Sequence, residues 1–430
     1  MSLPPRLAKV PQAEYKVLLD AVRSHGATTR TELAAWCGLP RSSVSLRVRE
    51  LLRAGLLVEL GGTEPTGGRR AGRVGFPPGT GVVLAIELGS THARWRLADF
   101  AATSLMDGGF PIVIASGAEE VLSPVERDVR QALDRLGLPV EAVRSCAVGF
   151  PGPVNFADGR VAGPPHMAGW DQAPVPALLS KWVQGPIVVD NDVNVMAWGE
   201  YDAKWRQEGT HDLLFIKHGT GIGCGIIANG QIYRGHDGTA GEVGHICVTD
   251  VEQKVMCSCG SDNCLEVVAS GGALVKRLKA QSYQVETAGD VSRLVVQGDL
   301  VAMSMVRDAG KALGAVMSGI VSFFNPAAIV MGGSLGALEI SLLAGMREAT
   351  YAQATMFSTR HLRIVPSYLG PEAGLHGATL LALDLAYDAA IELVDDRGRQ
   401  AVPSAAASAE RVAHNTERRA NKGGTTLGSR

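Results

Sequence analysis

"LLFIKHGTGIGCGIIANG", residues 213–230, is an apolar run, a glycine turn and a second apolar run. Both runs are short and bounded by glycine, which predicts a strand on either side of Gly219-Thr220-Gly221. An earlier stretch, "VVLAIELGSTHARWRLADF" at residues 82–100, repeats the device with Gly89-Ser90-Thr91 at its turn. Two copies of one unit in one chain predict two related lobes facing each other. The glycine loops join strand to strand, not strand to helix, so neither is a dinucleotide fingerprint. Backbone N–H groups on such turns can cradle phosphate oxygens. Taken alone, each loop is equally a plain hairpin.

The chain has 430 residues, a mildly apolar composition and a formal net charge of −2. That length predicts two or three domains, and the composition suits a soluble globular protein. The start, "MSLPPRLAKVPQAEYK", carries prolines and charges where a secretory signal needs an apolar core. The longest uncharged run, "ALGAVMSGIVSFFNPAAIVMGGSLGAL" at 312–338, raises a membrane reading. The "FNP" in its middle predicts a buried helix, a turn and a buried strand instead. A cytoplasmic location with no membrane contact is expected, with the seven cysteines reduced.

Charge is unevenly placed. Residues 1–76 hold twelve Lys/Arg against six Asp/Glu, whereas residues 77–394 hold 22 against 33. A basic head on an acidic body predicts that the head meets a polyanion. The head reads as three short helices and a hairpin. "QAEYKVLLDAVRSHG" has helical apolar spacing and ends at Gly26. "TRTELAAWCGLP" follows, with Thr31 as the expected N-cap, Glu32 in the first turn and Gly38 as the stop. "RSSVSLRVRELLRAGLL" is the third helix, with Val44, Val48, Leu51 and Leu52 as its buried stripe. Arg41, Ser42, Ser43, Ser45 and Arg47 lie off that stripe and are candidate contacts to double-stranded DNA. "LVELGGTEPTGGRRAGRVGF" then supplies a hairpin whose glycine-rich tip carries Arg69, Arg70 and Arg73. The segment resembles a winged helix-turn-helix, which reads the major groove with its third helix and can reach the minor groove with its wing.

In the body, "PIVVDNDVNVMAWGEY" predicts a strand that delivers Asn191 and Asp192 to a helix start. The dipole and free N–H groups there hold a carboxylate ionised. A simple N-cap is the bland reading. Asn191 and Asn194 beside that carboxylate form a set suited to hydroxyl-rich ligands such as sugars. Further on, "GEVGHICVTDVEQKVMCSCGSDNCLE", residues 241–266, spaces His245, Cys257, Cys259 and Cys264 as His-x11-Cys-x-Cys-x4-Cys. One imidazole and three thiolates make a closed tetrahedral set, so a structural zinc ion is expected here. Gly260 and Asn263 are expected to supply the unusual backbone angles of the tight loop.

Together "GTGIGCGIIANGQIYRGHDGTAGEVGH", "CSCGSDNCLE" and "FNPAAIVMGGSL" resemble the ROK family (repressors, open reading frames and sugar kinases), in its repressor branch with an N-terminal winged helix. The resemblance covers about residues 13 to 390. It implies an α/β chain: a winged helix-turn-helix over 1–76, then the two-lobed actin-like ATPase/hexokinase fold with ribonuclease-H-like lobes. The first lobe would span 77–190 with a returning helix over 371–392, and the second 191–370. The tail over 395–430, rich in small and charged residues, is expected to be disordered. The resemblance further implies sugar ligands at Asn191, Asp192, Glu242, His245 and Glu266. Asp192 would be the catalytic base if the chain is a kinase. The same zinc ligands follow from it, as do nucleotide contacts, if any, at Gly89, Thr91, Gly219, Thr220, Gly221, Gly332 and Gly333.

The departures from that pattern point to function. Kinases of the family carry D-x-G-G-T-K at the first phosphate loop, and this chain has "ELGSTH". Glu87 is longer than Asp by a methylene, Ser90 adds a side chain where backbone meets phosphate, and His92 replaces the Lys. His166 stands where a sugar-binding Asn is usual. The expectation is therefore a sugar-responsive regulator, a repressor by the commoner family logic, bound to an operator as a homodimer or higher oligomer. ATP and Mg2+ are not expected as cofactors, and an ATP-dependent sugar kinase with an added DNA-binding head is the alternative.

Overall fold

The computed structural model describes residues 10–60, 72–161, 167, 169–249, 254–333 and 339–400. The chain forms two compact units, one gathering the residues up to Thr80 and those from Tyr387 onward, the other spanning Gly81–Ala386.

In the first unit, helices α1 (Val10–His25), α2 (Arg30–Cys37) and α3 (Arg41–Ala54) pack around Leu18, Leu19, Leu33, Val44, Val48 and Leu51, all buried. Three short strands, β1 (Thr28–Thr29), β2 (Val58–Leu60) and β3 (Arg73–Gly75), form an antiparallel sheet in the order β1-β3-β2. Three helices with a small antiparallel sheet are the elements expected of a winged helix. The cap of α2 is Thr29, not Thr31: its hydroxyl accepts from Glu32 N while the Glu32 carboxylate accepts from Thr29 N at 2.8 Å. The reciprocal bonds satisfy orphan groups at both positions, so the helix starts earlier than the Thr-Glu spacing alone suggested. Gly38 and Gly55 end α2 and α3 in left-handed conformations.

In the second unit, β4 (Val82–Leu88), β5 (His92–Ala98) and β6 (Ser104–Pro111) form an antiparallel meander. Helix α4 (Ala118–Leu136) crosses back so that β7 (Val143–Phe150) runs parallel to β4. After the β8 (Val154–Asn155) and β9 (Arg160–Val161) pair and helix α5 (Val175–Leu179), β10 (Ile187–Asn191) runs parallel to β7. The sheet order is β10-β7-β4-β5-β6. Helix α6 (Asp192–Glu200) then leads into a π-helical turn over 201–205. The second sheet repeats the plan. Here β11 (Leu213–His218), β12 (Ile222–Ala228) and β13 (Gln231–Ile232) make the meander. Helices α7 (Leu265–Ala269), α8 (Gly271–Ala280), α9 (Ala288–Val296) and α10 (Leu300–Phe324) follow, and β14 (Ala328–Gly332) returns parallel to β11. Helices α11 (Glu339–Gln353) and α12 (Met356–Thr359) precede β15 (Arg363–Pro366), parallel to β14. Its order, β13-β12-β11-β14-β15, matches the first sheet strand for strand. The duplicated glycine hairpin therefore marks two copies of a ribonuclease-H-like sheet.

Each sheet has its own apolar core. Within the uncharged run over 312–338, the described residues form the end of α10, a left-handed Asn325 (φ 52°) and β14. Glycines let α10 and α11 touch backbone to backbone: a Cβ on Gly310 would sit 2.2 Å from Leu342 O, and one on Gly345 would sit 2.1 Å from Arg307 O. No helix among the described residues is long and apolar enough to cross a membrane. The last helix, α13 (Ala373–Gln400), is longer than the expected 371–392. Residues 395–400, assigned to a disordered tail from composition, continue it as helix, and the remainder of the tail lies outside the described residues. Against the first sheet, Ser145 Oγ donates to Ala382 O at 2.6 Å.

Candidate functional site

Strand β10 ends at Asn191, whose side-chain oxygen accepts from Val193 N at 3.0 Å as the N-cap of α6. Its amide nitrogen donates to Gly152 O at 2.9 Å, leaving one amide hydrogen beyond these two bonds. Asn194, expected beside a ligand, is buried instead and donates to Asp190 Oδ1 at 3.0 Å. Asp190 also accepts from Asn191 N and pairs with Arg234, whose guanidinium lies over the Phe156 ring. This buried carboxylate fixes the turn that presents Asp192.

Asp192 is 7 % exposed and its Oδ2 accepts from Lys217 Nζ. Lys217 stands on β11 two residues before the second glycine loop. Its sequence signal is a lone lysine in "LLFIKH", to which sequence reasoning assigns no role. Glu87, on β4, lies 3.3 Å from Arg94. Burial pushes its carboxyl up to about 7, with Asp192 adding to the shift and Arg94 and Lys217 opposing it. The His92 ring covers Gly89, and burial holds its imidazole below the ordinary range. Ser90 Oγ meets Thr220 Oγ1 at 3.4 Å, so the two glycine loops touch tip to tip. Gly332 and Gly333 owe their lack of side chain to packing: Cβ atoms there would meet the Phe215 ring at 2.3 Å and His218 O at 2.4 Å.

Glu266 sits in the first turn of α7 and accepts from Ile222 N at 3.0 Å. A Cβ on Gly221 would meet its carboxylate at 2.8 Å, so the glycine makes room for it. Glu242 lies 3.8 Å from His245 Nε2. Burial raises its carboxyl, Glu266 and Asp192 add to that, and His245 opposes it. Asp192, Glu242 and Glu266 thus lie near enough for Glu242 to feel the other two charges, and Lys217 pairs with Asp192. Carboxylate acceptors and an ammonium donor in one cleft can bind the hydroxyls of a sugar.

His245, Cys257, Cys259 and Cys264 converge, their donor atoms all within 4.8 Å of one another. Cys257 Sγ is 3.6 Å from His245 Nδ1, and Cys259 Sγ is 3.5 Å from Cys264 Sγ. Zinc–sulfur bonds of about 2.3 Å in a tetrahedron require ligand edges of about 3.8 Å. The group could thus hold a metal ion, and its donor chemistry suits zinc. Gly260 (φ 91°) and Asn263 (φ 54°) supply the left-handed turns the loop needs. The Ser261 backbone beside Cys259 holds that thiol down to about 6, and burial pushes Cys264 up to about 12. With Nδ1 on the metal side, His245 turns Nε2 towards Glu242.

On α3, Arg41 and Ser42 are exposed and Ser43 and Ser45 half-buried, whereas Val44 and Val48 are buried. Arg47 has partners within the head. Its guanidinium bonds Glu14 at 2.8 Å and Glu50 at 2.9 Å and lies over the Tyr15 ring. It ties α3 to α1 inside the head, a framework role that competes with the expected groove contact. Arg73 donates to Ala27 O at the base of the wing. Arg69, Arg70 and His166 lie outside the described residues.

Two duplicated sheets, a carboxylate cleft between glycine loops and a loop that gathers one histidine and three cysteines define a recognisable class. The ROK family model matches residues 83–385, and the chain belongs to the ROK family. The putative xylose repressor of Caldicellulosiruptor sp. (strain Rt8B.4) is 26% identical over 391 residues, covering 87% of this chain and 96% of its own length. The structure of a ROK family transcriptional regulator, a homologue of the E. coli MLC protein, superposes with a TM-score of 0.75 at 24% identity, covering 90% of this chain and 98% of that one. A Streptomyces griseus ROK glucokinase, solved with glucose and AMPPNP, covers 71% of this chain and 100% of its own at 28% identity and a TM-score of 0.61.

Proposed function

We propose that this chain is a sugar-responsive DNA-binding regulator, by family logic a repressor, that binds a double-stranded operator as a homodimer or higher oligomer. A sugar or sugar derivative held by Asp192, Glu242, His245 and Glu266, with Lys217 added, shifts the affinity for DNA by preferring one lobe arrangement. A zinc ion on His245, Cys257, Cys259 and Cys264 holds Glu242, His245 and Glu266 in register. It is structural, because the four ligands leave no open position for water.

One observation carries the reading. The putative xylose repressor matches head and body together, whereas the glucokinase matches only 71% of the chain. The kinase reading needs Asp192 as a free base and phosphate loops open to a nucleotide. Asp192 is paired with Lys217, and Ser90 meets Thr220, which disfavours it. The test has two arms. Selection from random duplexes should yield a specific site, and calorimetry over sugars, amino sugars and short oligosaccharides should find a ligand that shifts its footprint. No binding across the panel would remove the sensor, and sugar-dependent ADP release that vanishes in Asp192→Asn would restore the kinase.

A further inference from the structure

The loop that gathers His245 and three cysteines contains a fourth cysteine that the ligand set does not use. Cys247 lies two residues past His245, is exposed, and is absent from the four-residue ligand group. It faces Cys264 across an isolated antiparallel bridge. Val248 N donates to Asn263 O at 2.8 Å and Leu265 N donates to Ile246 O at 2.9 Å. Those two bonds flank the Cys247–Cys264 position, which makes it a non-hydrogen-bonded pair. In such a pair the Cα atoms stand about 4.5 Å apart and the side chains leave on the same face. A disulfide needs Cα atoms about 4.4–6.8 Å apart, so this register can be bridged without moving the backbone.

Cys264 is also 3.5 Å from Cys259. With metal bound, however, Cys257, Cys259 and Cys264 are all ligands. Cys247 is the thiol of the loop that remains uncoordinated. It also lines a groove of about 1340 Å³ with Lys276 and Ala312.

We propose that Cys247 is an oxidation site: a peroxide-class oxidant converts Cys247 and the zinc ligand Cys264 into a disulfide, and the metal is lost. The Cys247 sulfur attacks one peroxide oxygen, the O–O bond breaks, and a sulfenic acid and one water form. The Cys264 sulfur leaves the metal and attacks the Cys247 sulfur, forming the S–S bond and expelling hydroxide, which takes a proton to become the second water. Two sulfurs lose one electron each, and the peroxide gains both. A site reduced to His245, Cys257 and Cys259 no longer closes around zinc. The staple behind Glu242 and Glu266 is then gone, and on the reading above the sugar response goes with it.

The test uses the full-length zinc-loaded protein, hydrogen peroxide, a chromogenic chelator and peptide mapping. The expected result is release of one zinc per chain, a Cys247–Cys264 disulfide, and re-uptake of zinc after thiol reduction. Cys247→Ser, which removes no ligand, should keep its zinc through the same treatment. Zinc release at the parent's rate from Cys247→Ser overturns the proposal, as does a disulfide confined to Cys257, Cys259 and Cys264. Neither readout involves sugar or DNA, so failure of the regulator reading would leave both unchanged.

Discussion

Glu87 shows what burial does to a carboxylate near the end of β4. Its carboxylate reaches Arg94 yet lies largely buried, and the cost of ionising it there lifts the carboxyl from 4.5 to about 7. Below pH 4.5 folded and unfolded forms are both protonated, and Glu87 carries no ionisation cost. Between 4.5 and 7 the unfolded form is ionised first, so stability falls as pH rises, and above 7 the full cost is present. Glu87→Gln has no such cost. Its stability relative to the parent should rise between pH 5 and pH 8 by up to about 3 kcal/mol, read by urea unfolding at both pH values. A flat difference would remove the burial argument. At Cys259 the expected outcome concerns coupling. Cys259→Ser should lose zinc and sugar response together, measured by metal analysis and calorimetry, and full response without zinc would break the link between the staple and the clamp.

At the scale of elements, α6 is the crowded one. A Cβ on Gly377 of α13 would lie 1.8 Å from Val195 O, and one on Gly199 would lie 2.3 Å from Ala373 O. The two helices touch through bare backbone. Gly377→Ala should therefore destabilise the fold by about 1–3 kcal/mol, seen as a lower urea midpoint, despite its gain in helix propensity. In the head, Arg47→Ala should lower thermal stability by breaking the α1–α3 tie. Arg41→Ala should leave stability unchanged and weaken operator binding, so melting and DNA titration of the pair separate framework from contact. These elements also show what the sequence could convey. Val44, Val48 and Leu51 announce themselves by helical spacing, and Gly260 and Asn263 by the tightness of a short loop. The framework role of Arg47 is missed because its partner Glu14 is 33 residues away, and spacing along one helix cannot report a carboxylate on another. Lys217 escapes for the same reason: its meaning depends on Asp192, which follows the last strand of the other sheet.

For the whole molecule, the duplicated glycine hairpin was enough to predict two lobes, because topology repeats where supersecondary units repeat. Cleft geometry was less legible, since Ser90 meets Thr220 only once both sheets are built. DNA recognition makes the largest-scale prediction. Replacing Arg69 and Arg70 with Ala should weaken operator binding and reduce the slope of log affinity against log salt by about 2, as two phosphate contacts would require. An unchanged slope in a titration from low to moderate salt would take the wing out of the interface.

Glu200 gives the two-lobed body a mechanical property. Completely buried at the end of α6, it accepts from Ser367 Oγ at 2.7 Å, Tyr368 N at 2.7 Å and Leu369 N at 3.1 Å. The chain passes from the first sheet to the second through α6 and comes back through 367–372. One carboxylate thus rivets the outgoing and returning crossings to each other. The lobes share a pin at that point, so a shift of one sheet against the other must carry those three bonds along or break them.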